Sequence, residues 1–152
     1  MSASSDPILP GSILGVLGGG QLGRMFALAA RRMGYRVTVF APEDDTPAGQ
    51  IAYREVRAAY DDLGAVERFA QDVDVVTFEF ENIPAATAAA AARHAPVRPS
   101  GSLLSTTQDR LREKAGIEAL GVPVARHVPI EREEDLVSAA AAFGDGVLKS
   151  AS

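Results

Sequence analysis

The 152-residue chain contains no cysteine and no tryptophan, only two histidines, and no long run of strongly apolar residues. The lack of cysteine excludes disulfides, thiolate zinc sites and a cysteine nucleophile within this chain, and it fits a reducing cytoplasm. His94 and His127 lie far apart in the sequence without the spacing of metal ligands, so we assign neither to a metal or to catalysis. We therefore expect a cytoplasmic chain with no metal site among these residues.

Neither a membrane segment nor a nucleic-acid surface is indicated. The alanine-rich run at 85–92 is too short and too weakly apolar to span a bilayer, and alanine's helix propensity accounts for it. A formal net charge of −5 argues against a general nucleic-acid binder, which would neutralise phosphates with clustered lysines and arginines. Residues 1–10 are polar and lack the features of a signal peptide, so we interpret them as a loose tail.

An apolar segment at 13–17 leads directly into a glycine turn, residues 18–23. Gly18, Gly20 and Gly23 have G-x-G-x-x-G spacing, which permits a tight turn, close approach of a ligand and close packing of the next helix. A helix beginning at Gln21 would direct free N–H groups and the positive end of its dipole at an anion. The pattern predicts a phosphate-binding turn, although an ordinary strand–helix connection can carry the same glycines.

Strands and helices alternate along the first two thirds of the chain. Apolar periodicity predicts strands at 13–17, 36–40 and 74–80, helices at 21–33, 61–70 and 84–94, a short helix or strand within 51–56, and a short strand from Val97. The first helix carries an apolar face that includes Leu22, Met25 and Phe26. Alternation of this kind produces a parallel sheet with right-handed crossovers. We therefore predict a doubly wound α/β domain over residues 11–105.

The last third of the chain has a different pattern. Capping-type residues at 105–109 precede a helix that should end near Gly121. Another helix is predicted to end at Phe143, and residues 146–149 are predicted to form a final strand without a partner strand in the chain. We interpret residues 106–152 as the opening of a second domain.

Two carboxylates, Glu79 and Glu81, and the amide of Asn82 lie at the end of the predicted strand 74–80. Open α/β sheets place their ligands at the carboxyl ends of parallel strands. Because side chains alternate along a strand, Glu79 and Glu81 should share one side, where they would accept hydrogen bonds from an amine or hydroxyls or bind a cation. The alternative is a solvated strand end at which Asn82 caps the following helix.

Three further residues are candidates for ligand contact. Gln21, inside the glycine turn, would face either a ligand or solvent. Arg110 lies one helical turn from Lys114, a spacing that suits a polyphosphate but is also common on exposed helix faces. Lys149 ends the predicted final strand, from which it would reach a nucleotide phosphate or remain in solvent.

Four motifs together resemble the 5-(carboxyamino)imidazole ribonucleotide synthase family of ATP-grasp ligases. They are G-G-G-Q-L-G-R at 18–24, T-x-E-x-E-N-I at 77–83, Q-D-R at 108–110 and V-L-K at 147–149. The resemblance implies a Rossmann-like pre-ATP-grasp domain followed by the opening of an ATP-grasp domain. It also implies that ATP and Mg2+ activate bicarbonate, which carboxylates 5-aminoimidazole ribonucleotide with release of ADP and phosphate, and that the full-length enzyme is a homodimer.

The resemblance also implies roles for individual residues. Six are implied to bind substrate: Gly20, Gln21, Leu22, Glu79, Glu81 and Asn82. Gln21 and Leu22 would contact the ribonucleotide phosphate and Glu79 its ribose or amine region. Arg110 and Lys149 would contact ATP. The family pattern continues after Ser152 with a second glycine-rich loop and the metal-binding carboxylates. We therefore expect most catalytic residues to lie beyond this sequence, and we do not expect this chain alone to be catalytically competent.

Two alternatives stay open at this point. An NAD-dependent oxidoreductase domain would share the glycine turn, but it would need an acidic residue at the end of the second strand to bind the ribose hydroxyls. This chain has Ala41 and Pro42 there, with Glu43 coming late, whereas many members of the resembled family have Asp-Pro. The other alternative is a non-catalytic module that binds a nucleotide through the glycine turn or assembles through its unpaired final strand.

Overall fold

A computed structural model describes residues 7–151, which divide after Leu104 into two compact units. The first unit contains β1 (Ile13–Leu17), α1 (Gln21–Arg32), β2 (Arg36–Ala41), a 3-10 turn (Gly49–Ile51), β3 (Arg54–Arg57), α2 (Leu63–Gln71), β4 (Val75–Phe78) and α3 (Ala85–Ala91). Helix α4 (Gly101–Thr107) spans the division, and the second unit contains α5 (Arg110–Ala119) and α6 (Glu133–Phe143).

The four strands form one parallel sheet in the order β3-β2-β1-β4. In its register Leu17 lies opposite both Phe40 and Phe78, so β1, β2 and β4 end at the same level. Val97 forms a single parallel bridge to Val76. The short strand predicted from Val97 is therefore reduced to this one bridge. The predicted doubly wound α/β architecture is confirmed, and the register brings the segments after three strands to one edge.

Both faces of the sheet are covered. On one face Leu17, Phe40 and Val76 pack with α2 and α3, and on the other Val16 and Val39 pack with α1. Side chains on neighbouring positions of a strand point to opposite faces, so a strand covered on both faces needs apolar residues at successive positions. This requirement explains the continuous apolar runs of β1 and β2.

Helix α1 contacts the sheet through small residues, Gly23, Ala27 and Ala30, which are buried. The predicted apolar face of this helix is instead exposed at Leu22 and Met25. Periodicity located an apolar stripe correctly, but it did not identify which face packs against the strands. Close approach of the helix backbone to β1 favours the small residues there.

Three local predictions are wrong. Regular strand structure in β4 ends at Phe78, before the two glutamates. Residues 105–107 belong to α4 rather than to a run of caps, and Asp109 is the N-cap of α5, accepting hydrogen bonds from the N–H groups of Leu111 and Arg112. Residues 146–149 form no strand, and Val147 is 81% exposed, because the described part of the second unit contains no strand with which they could pair.

We predict that Gly15→Ala destabilises the chain by about 1–3 kcal/mol through overpacking. A Cβ at this position would lie 2.8 Å from the ring of Phe69 and 3.0 Å from Val73, both buried between β1 and α2. The matched control is Gly64→Ala, at an exposed position of α2 where a Cβ meets no atom closer than 3.5 Å. Urea unfolding should show the first variant weakened and the second unchanged or stabilised, and equal midpoints would contradict this packing.

Candidate functional site

The candidate site lies at the carboxyl edge of the sheet, where the glycine turn meets the segments that follow β2 and β4. The N–H of Gly18 donates to the carbonyl of Phe40 at 3.0 Å, which continues the pairing of β1 with β2 by one residue. Gly18 has a φ of +125°, a backbone conformation that side chains other than glycine rarely adopt. The hydrogen bond to β2 and the positive φ together determine the backbone conformation at Gly18, where the turn begins.

The carboxylate of Glu79 lies directly against the glycine turn. Its backbone N–H donates to the carbonyl of Leu17 at 2.9 Å, so the chain after β4 remains attached to β1. A Cβ built on Gly18 would lie 2.5 Å from Glu79 Oε2, and one built on Gly20 would lie 2.7 Å from Oε1. Gly18 is required by its positive φ and by the backbone N of Phe80 at 3.0 Å, whereas a Cβ at Gly20 would only require the Glu79 carboxylate to move. A side chain at Gly20 would displace the Glu79 carboxylate, so a substitution there would alter the turn and the carboxylate together.

Thr46 covers the middle of the turn from the side of β2. It is buried, and a Cβ on Gly19 would lie 2.6 Å from the Thr46 side chain. The backbone N–H of Thr46 donates to Glu55 Oε1 at 3.1 Å and its hydroxyl donates to the same oxygen, while the hydroxyl accepts from the N–H of Gly49 at 2.9 Å. The N–H of Ala48 completes the contact by donating to the carbonyl of Gly19 at 3.0 Å.

The first turn of α1 is open to an anion. Gly20 is the N-cap without a side-chain cap, and the first helical turn contains no acidic residue. The first intrahelical bond runs from the N–H of Arg24 to the carbonyl of Gly20, and the preceding N–H groups of Gln21 and Leu22 are of the kind that have no partner inside a helix. An anion bound there gains from these donors and from the helix dipole.

Donors and a carboxylate therefore lie side by side in one site. A phosphate on the first turn of α1 would be repelled by Glu79 by roughly 1–4 kcal/mol at a separation of about 4 Å. That cost is offset when the same ligand offers hydroxyl or amine donors to the carboxylate. The arrangement suits a ligand that carries an anionic group and hydrogen-bond donors a few ångströms apart.

An open cleft of about 300 Å³ adjoins this arrangement. It is lined by Val16, Leu22, Phe26, Thr77, Phe78 and Glu79. Its lining is mostly apolar and includes one carboxylate, a composition that suits a planar ring with a polar edge. A larger groove of about 480 Å³ lies beside β3 and α2, but none of the predicted site residues lines it.

Tyr60, which follows β3, is a site residue that the sequence analysis missed. Its half-buried ring stacks on Phe80 with a centroid distance of 5.8 Å and lies 6.1 Å from the ring of Phe40. Burial raises the pKa of the Tyr60 phenol from 10.0 to about 12, and the carboxylates of Glu43 and Glu79 add to the rise. The signal available in the sequence was its position shortly after a parallel strand.

Glu81 and Asn82 lie in a different environment from Glu79. Both are exposed, and neither is among the atoms nearest to the glycines of the turn. Because β4 ends at Phe78, regular alternation does not extend to Glu81 and gives no common side for the two glutamates. The alternative that Asn82 caps the next helix is also wrong, since the N-cap of α3 is Pro84.

Arg110 and the Lys149 segment meet within the second unit. The backbone N–H of Arg110 donates to the carbonyl of Ala151 at 2.8 Å, and its Nε donates to the carbonyl of Ser150 at 3.1 Å. Lys149 therefore lies next to residues held at the start of α5, although not at the end of a strand. Lys114 Nζ instead lies 3.5 Å from the carbonyl of Ala125.

Two negative observations apply to residues 7–151 alone. No group of three or more histidine, aspartate or glutamate side chains there is arranged to hold a metal ion. No helix among these residues is long and apolar enough to cross a bilayer.

We predict that the hydroxyl of Thr46 stabilises the contact between the glycine turn and the segment after β2. Thr46→Val conserves shape but leaves Glu55 and the N–H of Gly49 without this partner, at a cost of about 1–3 kcal/mol. The amide of Ala48, bonded to Gly19, should then exchange with solvent faster, as measured by hydrogen exchange and NMR. Thr46→Ser, which retains the hydroxyl, is the control, and unchanged exchange in the valine variant would contradict the prediction.

We also predict that one of the three tyrosines ionises late in an alkaline titration followed by ultraviolet absorbance. The folded state keeps the Tyr60 proton up to a pKa of about 12, whereas the unfolded chain loses it near 10.0. This group therefore leaves the unfolding free energy unchanged below pH 10 and lowers it as the pH rises towards 12. Tyr60→Phe should remove the step near pH 12, and an unchanged titration curve in this variant would refute the assignment.

Comparison with known proteins gives one consistent family. Residues 12–108 match the model of the ribonucleotide synthetase preATP-grasp domain. The chain is 43% identical over 141 residues to N5-carboxyaminoimidazole ribonucleotide synthase of Brucella melitensis, covering 92% of this chain and 39% of that protein. The enzyme of the same name from Bacillus subtilis is 39% identical over 136 residues, covering 90% and 36%. The chain thus spans about two fifths of the length of these relatives.

Solved structures agree with this result. The ADP complex of an N5-carboxyaminoimidazole ribonucleotide synthetase superimposes with a TM-score of 0.86 and 44% identity, covering 92% of this chain and 37% of that one. A synthase from Aspergillus clavatus in complex with ADP and 5-aminoimidazole ribonucleotide gives a TM-score of 0.74 and 30% identity, covering 88% and 36%. Both similarities extend over most of the present chain.

Proposed function

Because the chain belongs to the ribonucleotide synthetase preATP-grasp domain family, we propose that it is the ribonucleotide-binding part of an N5-carboxyaminoimidazole ribonucleotide synthase. The observation that carries this proposal is the carboxylate of Glu79 beside the open first turn of α1. That pairing suits 5-aminoimidazole ribonucleotide, which carries a phosphate together with ribose hydroxyls and an amine. A relative from Aspergillus clavatus has been crystallised with this compound.

In the proposed complex the N–H groups of Gln21 and Leu22 bind the phosphate at the N-terminus of α1, with Gly20 in the turn beneath it. Glu79 accepts hydrogen bonds from the ribose or from the amine, and the apolar lining of the cleft covers the ring. Glu81 and Asn82, which follow Glu79 in the chain and are exposed, are proposed to contact the same substrate. These contacts hold the substrate amine at a fixed position, and positioning of this kind lowers the entropic part of a reaction barrier.

For the whole enzyme we propose the reaction of its relatives. ATP activates bicarbonate as carboxyphosphate, and the carboxyl group is transferred to the amine of 5-aminoimidazole ribonucleotide, which gives the N5-carboxyamino product, ADP and phosphate. Arg110 and Lys149 are proposed to contact ATP, and the ADP bound in a similar structure supports this role. Mg2+ would neutralise the ATP phosphates, and we assign no described residue to it. We further propose that the whole enzyme is a cytoplasmic homodimer.

The geometry favours a mononucleotide over NAD. A pyrophosphate placed on the glycine turn would bring two negative groups against Glu79. The adenosine half of a dinucleotide would extend towards the end of β2, where Thr46 already covers Gly19. A ligand with one terminal phosphate avoids both conflicts.

Titration of the labelled chain followed by NMR tests the proposed site. 5-Aminoimidazole ribonucleotide should shift the amides of the glycine turn at millimolar concentration, and NAD should not. Glu79→Gln should weaken ribonucleotide binding by roughly tenfold, because a charged acceptor is lost, yet leave inorganic phosphate bound at least as tightly, because repulsion is removed. Glu118→Gln, an exposed change on α5, is the charge-matched control.

Two results would overturn the proposal. The first is the absence of shifts in the glycine turn with the ribonucleotide, or larger shifts with NAD. The second is an equal loss of ribonucleotide and inorganic phosphate binding in Glu79→Gln, which would mean that the carboxylate does not recognise the nucleoside part.

A further inference from the structure

Glu55, on the edge strand β3, reaches the segment that covers the glycine turn. Its half-buried side chain uses one carboxylate oxygen, Oε1, to accept both the backbone N–H of Thr46 at 3.1 Å and the Thr46 hydroxyl. A single acceptor that binds two donors of one residue fixes the main chain and the side-chain rotamer of that residue together. Pairing with β2, in which Glu55 lies opposite Val39, holds the acceptor itself in place.

The position of Gly49 leaves room for this carboxylate and for no side chain of its own. A Cβ built on Gly49 would overlap the Glu55 carboxylate at Oε1 and Cδ. Gly49 lacks a positive φ, so its backbone conformation alone would tolerate alanine. The N–H of Gly49 donates to the Thr46 hydroxyl at 2.9 Å. Glycine is therefore required here by the contact with Glu55.

The segment that Glu55 holds orients one peptide group of the turn. The Thr46 side chain lies against Gly19, and the N–H of Ala48 donates to the Gly19 carbonyl at 3.0 Å. In a planar trans peptide the Gly19 carbonyl and the Gly20 N–H point in opposite directions. The bond from Ala48 therefore turns the Gly20 N–H away from the segment, and this N–H donates to no group among residues 7–151. It lies at the N-cap of α1, next to the donors of the first turn.

Arg24 of α1 holds the same segment independently of Glu55. Its Nη1 donates to the carbonyl of Pro47 at 2.8 Å and to Gln50 Oε1 at 3.1 Å. Loss of Glu55 should therefore loosen Thr46 without detaching the segment from the helix.

We propose that Glu55 is a positioning residue for the anion site: through Thr46 it holds the segment against Gly19 and keeps the Gly20 N–H oriented for a bound phosphate. This inference rests on the proposed ribonucleotide site and extends it. Glu55 acts only through Thr46 and does not touch the ligand. Its loss should weaken inorganic phosphate and the ribonucleotide by the same factor, whereas Glu79→Gln should weaken the ribonucleotide alone.

Two substitutions at different positions should have the same consequence. Glu55→Ala removes the acceptor, and Gly49→Ala places a methyl group where the carboxylate lies, so that the carboxylate has to leave Thr46. In both variants we expect the affinities for inorganic phosphate and for 5-aminoimidazole ribonucleotide, measured by NMR titration, to fall roughly threefold to tenfold. In the double variant the methyl group meets no carboxylate, so the loss should not exceed that of Glu55→Ala alone.

Glu55→Gln is the conservative variant. Only Oε1 accepts the two bonds, and an amide oxygen can replace it, so affinity should stay within about twofold of the unmodified chain. The matched controls are Gly64→Ala and Glu67→Ala, since Glu67 accepts a hydrogen bond from Arg93 at 2.6 Å on α2. Both should bind phosphate normally. Additive losses in the double variant, or equal losses in Glu55→Gln and Glu55→Ala, would overturn the inference.

Hydrogen exchange without ligand separates this inference from the proposed function. The Ala48 amide should exchange faster in Glu55→Ala and Gly49→Ala, and at the original rate in Glu55→Gln and Gly64→Ala. If Glu55→Ala does not fold, Gly49→Ala against Gly64→Ala makes the same test. If the unmodified chain binds neither ligand but exchange follows this pattern, the proposed function fails and the hold of Glu55 on the turn stands. Unchanged exchange would refute the positioning role whether or not a ligand binds.

Discussion

The parallel register of the sheet is the constraint on which the candidate site depends. Leu17 lies opposite Phe40 and Phe78, so three strands end together and their following segments emerge at one edge. A shift of one residue would move Glu79 away from the glycine turn and turn the apolar side chains of the strand to the other face. Because both faces of β1 and β2 are apolar, the register is fixed by the fit of particular side chains, such as Phe69 and Val73 against Gly15, and this fit also fixes the position of Glu79.

The site combines groups of opposite electrostatic character. The open first turn of α1 attracts an anion, and the adjacent Glu79 repels one and accepts hydrogen bonds instead. These two groups make the site selective. Inorganic phosphate gains only the contact with the first turn of α1, and a dinucleotide pyrophosphate brings two charged groups against the Glu79 carboxylate. Thr46 supports the glycine turn from the segment after β2, and it does not need to touch the ligand.

Local patterns in the sequence predicted most of the fold, because strand and helix periodicities depend on neighbouring residues. The glycine turn and Glu79 were also predictable, since spacing and strand ends indicate them. Contacts between distant segments were not: the stack of Tyr60 on Phe80 and the cover of Thr46 over Gly19 depend on the tertiary arrangement. The final strand failed for the same reason, because an apolar run such as 146–149 becomes a strand only when a partner strand is present.

A crystal structure of the chain with 5-aminoimidazole ribonucleotide tests the central claim most directly. The account predicts the phosphate within about 2.7–3.2 Å of the N–H groups of Gln21 and Leu22, and Glu79 bonded to the ribose or the amine. A phosphate bound elsewhere, for example in the groove lined by Arg54, Arg57 and Arg68, would contradict it. So would a complex in which Glu79 turns away from the ligand.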